Sequence, residues 1–228
     1  MNPRGVAPCL TITVKSSITY RHPMKDYELY IFDFDMTLVD SLKPSIGCYR
    51  KAFEVAGFPF DERKCSEYMR ESLNQTFGRF SDCTCKLREF VTAFIMESEK
   101  DMVESTSFFP ESMHVIEKLY DRGKILCIAS GKTEYRIRQT LDRFGITDHF
   151  DQIVGYERMV EQKPSPYCID LIMGKYDIPR RNACFIGDSP NDMLCAINAG
   201  VDAIHIDRGD AIECVCDHRI HDLSELIE

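Results

Sequence analysis

The sequence has no apolar run approaching the roughly 18 residues that a membrane-spanning helix needs, so no segment reads as a span. Positive charge is also scarce. Against 37 acids stand 28 lysines and arginines, a net charge of -9 with a pI near 5.2. That balance works against non-specific binding to nucleic acid or anionic membrane, which both rely on clustered Lys and Arg. No internal repeat or low-complexity tract interrupts the chain. Residues 1–25 lack acids altogether, and their one apolar stretch, Leu10 to Val14, alternates with Thr. It is too short and too polar for a secretory core, so this part reads as a leader of uncertain role, with a transit segment as the alternative and Met24 as a possible start.

What is present fits one globular α/β domain with a modest insertion. The 228 residues can bury a core without staples, and 44% hydrophobic with 29% charged residues is ordinary globular composition. The eleven cysteines are odd in number and scattered through apolar stretches, as at Cys127, Cys184 and Cys195, rather than set at framework spacings. They read as incidental or buried thiols of a cytoplasmic protein. The pairs Cys83/Cys85 and Cys214/Cys216 are spaced more tightly than zinc ligands usually are.

The apolar pattern alternates between short runs and helical periods. A strand over 29–34 is followed by a helix over 41–56 closed by Gly57. Pro110 opens a helix that Gly123 ends, and a strand covers 125–129. Helix 133–144 ends at Gly145, then come strand 151–155, helix 166–176, strand 183–187, helix 190–199 and strand 202–206. Strands separated by helices of this length imply a doubly wound parallel sheet covered on both faces. Residues 41–107 break the alternation, with helical patterns at 41–56, 61–70 and 85–102 and turns around Pro59 and from Asn74 to Asp82. The expected organisation is a core of 26–40 plus 108–228 with an inserted helical module of 41–107.

In an open parallel sheet, ligands bind beyond the carboxyl ends of the strands. The first strand ends in Asp33-Phe34-Asp35-Met36-Thr37, the second in Ser130-Gly131-Lys132, and the fourth in Gly187-Asp188-Ser189-Pro190-Asn191-Asp192, with Lys163-Pro164-Ser165-Pro166 between the third and fourth. Taken singly, each is an ordinary turn or loop. Together and in this order, DFDMTLVDS, ASGK, KPSP and GDSPND resemble the four signature motifs of the haloacid dehalogenase superfamily. The resemblance covers residues 28 to 207, and residues 41–107 occupy the place of that family's helical cap.

The resemblance implies a magnesium-dependent phosphatase acting on a small phosphorylated metabolite. Asp33 would be the nucleophile, forming an aspartyl-phosphate, and Asp35 the acid and then the base. Ser130 and Lys163 would hold the phosphoryl oxygens, and the residues after Lys163 offer Ser165 as the cap and Pro166 as the opening of the next helix. Asp33, Asp188 and the main-chain carbonyl of Asp35 would hold Mg2+, with Thr37, Gly131 and Asp192 supporting; Asp192 lies four residues after Asp188, and the spacing puts both on one face of a helix beginning near Pro190. A carboxylate within about 4 Å of a phosphate oxygen is repelled by about 4 kcal/mol per charge pair at an effective dielectric of 20, so this chemistry needs a cation. Met36 departs from the pattern, since glycine usually follows the second aspartate. Asp35 itself argues for phosphoryl transfer over carbon–halogen cleavage.

The motifs leave open a sugar phosphomutase resembling β-phosphoglucomutase, or a pyrophosphatase, with phosphoglycolate phosphatase-like members the most similar. A phospho-accepting signalling module is remote, because Asp33 and Lys163 stand 130 positions apart around an insertion. A binding protein that lost its activity is disfavoured by the presence of every reacting position. His149, Phe150, His205, Phe77, Phe80, Phe90 and Phe94 read as packing residues. Lys43, Arg70 and Arg79 are cations of the module that could face an anionic substrate, and as surface residues they need no such role. Oligomeric state is not legible.

Overall fold

The structure, a computed structural model, describes residues 24–69, 71–209 and 212–228. Most of the expected leader and Arg70 therefore lie outside the described residues. The core strands alternate their side chains between two apolar layers, which is why each reads as a continuous hydrophobic run. In β1 (Leu29–Phe32), Tyr30 and Phe32 enter one layer while Leu29 and Ile31 enter the other. The same division holds in β4 (Ile125–Ala129) and β6 (Ala183–Gly187). The first layer is closed by α5 (Ser112–Asp121) and α6 (Glu134–Phe144), the second by α7 (Tyr167–Met173) and α8 (Pro190–Ala199).

With β5 (Gln152–Val154), β7 (Asp202–Ile206) and β8 (His218–Ile220), these strands form a six-stranded sheet of order β5-β4-β1-β6-β7-β8, every adjacent pair parallel. From β1 the chain crosses to β4 on one side, and from β6 to β7 on the other. The boundary between β1 and β6 is therefore the switch point where a crevice opens beyond the carboxyl ends. The doubly wound α/β expectation is met.

Between β1 and β4 comes the helical module of α1 (Leu42–Ala56), α2 (Glu62–Tyr68), α3 (Leu73–Phe80) and α4 (Leu87–Ser105). It has a separate core of Tyr49, Ala52, Phe53, Ala56, Cys65, Phe77 and Phe90, with Phe80 and Phe94 packed against it. Two short strands, β2 (Val39–Asp40) and β3 (Ser107–Phe108), pair antiparallel where the chain enters and leaves the module.

Several sequence expectations need correction. The first strand ends at Phe32, not residue 34, because the chain leaves the ladder at Asp33. Asn74 to Asp82, expected as a turn, is mostly α3. Ser72 and Gln75 form a reciprocal capping box there and Phe77 is buried, so capping and packing outweigh the polar composition. The helix expected over 166–176 stops at Met173, and α4 runs on to Ser105. Strands β2, β3 and β8 were not expected; each has only two or three residues, too few for a period to show. Cys83 and Cys85, expected as incidental thiols, are joined as a disulfide in the module. The other cysteines described are free, and Cys48, Cys65, Cys127, Cys168, Cys184 and Cys195 are buried.

Candidate active site

Asp33 is the first residue beyond β1 and Asp188 the first beyond β6, so the switch point brings their carboxylates together from strands that pair in register. Asp33 is anchored by its own amide, which donates to Ile186 O at 2.8 Å. Asp192 arrives by a different route. The expectation that Asp188 and Asp192 share a helix face is corrected: Asp188 precedes the helix, whose N-cap is Ser189. A capping box folds Asp192 back instead, its Oδ2 accepting from Ser189 N at 3.0 Å and Ser189 Oγ at 2.6 Å. Gly187 makes room for this. A Cβ there would stand 2.4 Å from Asp192 Cβ, closer than atoms can approach.

Lys163 lies just before a cis peptide bond to Pro164 and points into the same centre. Its ammonium donates to Asp33 Oδ1 at 2.7 Å and to Asp192 Oδ1 at 2.5 Å. Ser165 does not cap α7 as expected; Pro166 holds the N-cap position, and Ser165 Oγ accepts from Tyr167 N at 3.4 Å and donates to Glu161. Ser130 is buried at the end of β4, its Oγ 3.4 Å from Lys132 N. Gly131 has open space where a side chain would stand, so packing does not require glycine there.

Asp33, Asp188 and Asp192 are buried, and their carboxylate oxygens lie within 4.8 Å of one another, a spacing that one metal ion could bridge. Burial pushes the Asp33 carboxyl up to about 8, Lys163 opposes this, and Asp192 and Asp188 add to it. Conversely, Asp192 and Asp33 hold the Lys163 ammonium well above its usual range despite its burial. Three carboxylates around one ammonium leave negative charge in excess. Their hard oxygen donors suit a divalent cation of the magnesium type, so the residues present fit one. The buried Thr37 Oγ1, in the turn that follows Asp35, has no hydrogen-bond partner among the described residues.

The side chain of Asp35 points elsewhere, its Oδ1 accepting from Lys132 Nζ at 2.6 Å. Lys132 received no role in the sequence reading, although it stands within the second motif; a lone cation two residues beyond a buried strand-end serine was the available signal. Met36 adopts φ 61°, the left-handed region, which explains why glycine is usual at this place. His205, expected to be a packing residue, is buried, and its Nε2 lies 3.2 Å from the Asp188 carbonyl. Arg208 was missed, and no local pattern announces it: its guanidinium donates to Thr37 O, 171 positions away. Of the cations of the module, Arg79 pairs with Glu71 at 2.7 Å and stacks on Tyr68, while Lys43 is exposed.

A parallel sheet with carboxylates and a lysine converging at its switch point defines an α/β enzyme with a charged reaction centre. The sequence profile of the haloacid dehalogenase-like hydrolases matches residues 30–206, and the chain belongs to that family of hydrolases. It is 25% identical over 189 residues to a phosphoglycolate phosphatase of Vibrio parahaemolyticus, across 77% of this chain and 82% of that one. To a pyrophosphatase of Oceanobacillus iheyensis it is 23% identical over 171 residues, across 75% and 79% of the two chains. The solved structure of a haloacid dehalogenase-like hydrolase from Bacteroides fragilis aligns with a TM-score of 0.82 at 27% identity, covering 88% of this chain and 99% of the other. Among the described residues no helix is long and apolar enough to cross a membrane.

Proposed function

We propose that the chain is a magnesium-dependent phosphatase that hydrolyses a small phosphate monoester, similar in reaction to the phosphoglycolate phosphatases. The observation that carries this reading is the single buried centre in which Lys163 bridges Asp33 and Asp192 beside Asp188. Asp33 attacks phosphorus, forming the bond to phosphate as the ester oxygen leaves. Asp35 gives that oxygen its proton and then takes one from the water that releases inorganic phosphate. Ser130 and Lys163 hold the phosphoryl oxygens, and Asp192 holds Lys163. Thr37 and Gly131 line the loops that face the transferring group. Magnesium, held by Asp33, Asp188 and the main-chain carbonyl of Asp35, would supply the positive charge that a dianionic substrate needs beside two carboxylates.

In this reading residues 26–40 and 108–228 are the catalytic core and residues 41–107 are a cap that excludes water during the first step. Eight free cysteines among the described residues support a cytoplasmic setting, and the Cys83–Cys85 disulfide stands against it. The test is phosphate release from a panel of phosphorylated metabolites, pyrophosphate and an aryl phosphate, with and without magnesium, using the intact protein and Asp33→Asn. Magnesium-dependent release that the variant loses is expected. Release from pyrophosphate alone would make the chain a pyrophosphatase, isomerisation of a sugar phosphate a mutase, and no turnover at all would sink the hydrolytic reading.

A further inference from the structure

The turn that carries Asp33, Asp35 and Thr37 is strained, because Met36 sits at φ 61° without being a glycine. Such a conformation persists only where its surroundings over-determine it. Hydrogen bonds within the turn supply part of the constraint: Met36 N donates to Val39 O at 2.8 Å and Leu38 N to Phe34 O at 3.0 Å. The rest comes from a residue distant in sequence. Arg208, just beyond β7, donates through Nη2 to Thr37 O at 2.6 Å and through Nη1 to Glu111 Oε1 at 2.5 Å. Its guanidinium lies 3.6 Å from the ring centroid of Phe109, and its side chain is only 8% exposed.

These contacts join both ends of the connection to the helical module. Thr37 stands just before β2, and Phe109 and Glu111 follow β3. The carbonyl of Leu38 ties the same two segments, accepting from Phe109 N at 3.2 Å and from Ser112 Oγ at 2.8 Å. A planar guanidinium can serve a carbonyl and a carboxylate in its plane while stacking on an aromatic face, which an ammonium cannot do. Burying such a charge is costly, and with Nε left without a hydrogen-bond partner among the described residues the two Nη contacts and the ring of Phe109 must hold it, so its placement here is demanding.

We propose that Arg208 is a positioning residue for the reaction, clamping the strained turn between Asp35 and β2 to the root of the module. The inference rests on the phosphatase reading of that turn. Its test combines kinetics with amide hydrogen exchange on the full chain. Arg208→Met is expected to lower kcat about tenfold or more at saturating substrate and magnesium, well below its Tm, with KM changed less than about threefold. Arg208→Lys should recover part of the loss. The amides of Met36, Leu38 and Val39 should exchange about tenfold faster or more, while those of Ile31 and Cys127 in the sheet keep their rates.

A kcat within about twofold of the intact protein, together with unchanged exchange in the turn, would overturn the proposal and leave Arg208 a packing residue. If the intact protein turns over no phosphate ester, the phosphatase reading falls, and the exchange pattern alone decides whether Arg208 clamps the turn. Should Arg208→Met fail to fold, Arg208→Lys and Glu111→Gln carry the same two measurements.

Discussion

The core and the helical module bury opposite chemistry. At the ends of β1 and β6 the core encloses three carboxylates and a lysine, groups that cost free energy to bury and that folding alone does not call for. The module encloses rings. Phe53 lies 4.3 Å from Phe80, 4.7 Å from Phe90 and 6.2 Å from Phe77, centroid to centroid, and the module's charges pair on its surface, as in Arg50–Glu62 and Lys86–Glu89. The difference teaches where reaction and shape reside. On the proposed reading polar burial in the core serves chemistry, whereas aromatic burial in the module holds its four helices together.

The sharpest test of that division replaces the lysine of the buried centre. Lys163→Met leaves Asp33 and Asp192 facing each other without a counter-charge, and the loss in stability should be about 3–5 kcal/mol, with phosphate release abolished. Urea unfolding and turnover measure the two effects. A variant as stable as the intact protein would mean that the carboxylates do not depend on Lys163. Phe53→Ala should cost about 3–5 kcal/mol in the other region, by leaving a cavity among the rings. Exchange should then rise in α1 and α4 while β1, β4 and β6 stay protected. If the sheet amides open together with the module, the two regions are one cooperative unit and the contrast fails.

How much of this was legible follows from the same contrast. Strands buried on both faces leave apolar runs that stop abruptly at polar residues, so β1, β4, β6 and β7 and the residues at their ends can be read directly, as can Gly57 and Gly145 at helix ends with φ 78° and 71°. Asp33, Asp35, Ser130 and Asp188 were accessible for that reason, and Lys163 through its place in the KPSP motif between two strands. Helix α3 was not, because Asn74, Gln75 and Thr76 look like a turn until Phe77 is buried and Ser72 caps the first turn. Lys132 and Arg208 depend on contacts across 97 and 171 positions, which no local period encodes. The capping box that turns Asp192 toward Lys163 was present in the letters, yet its consequence for the site depends on Gly187 leaving room.

A smaller effect should appear as a dependence on pH. In the folded protein without metal, burial makes Asp33 hold its proton to about 8, whereas the ordinary value for this carboxyl is 3.8. Between those limits the folded state binds more protons than the unfolded chain, so stability falls as pH rises across that window. Lys163 contributes nothing there, because its raised pKa matters only above the ordinary lysine range. Thermal melts in a chelator should therefore show Asp33→Asn overtaking the intact protein in Tm between pH 5 and pH 8, by several degrees at the upper end, about the scale of 1 kcal/mol or more. Adding magnesium at pH 8 should raise the Tm of the intact protein more than that of the variant. Parallel melting curves for the two proteins across the window would show that burial of Asp33 carries no such cost.

The smallest effect concerns Met36, where the two regions meet. A side chain in the left-handed region costs about 1–2 kcal/mol, and burying a methionine returns about 1.5–3 kcal/mol, so Met36→Gly should change stability by no more than about 1 kcal/mol. Met36→Ala separates the two contributions, since alanine keeps the Cβ that strains the turn and loses the buried chain. Alanine should consequently be less stable than glycine by about 1 kcal/mol, the reverse of their order in a helix or strand. Equal stability of the two variants would mean that the turn relaxes once the long side chain is gone. The clamp at Thr37 would then be holding a conformation that Met36 itself imposes, rather than one the backbone needs for Asp33 and Asp35.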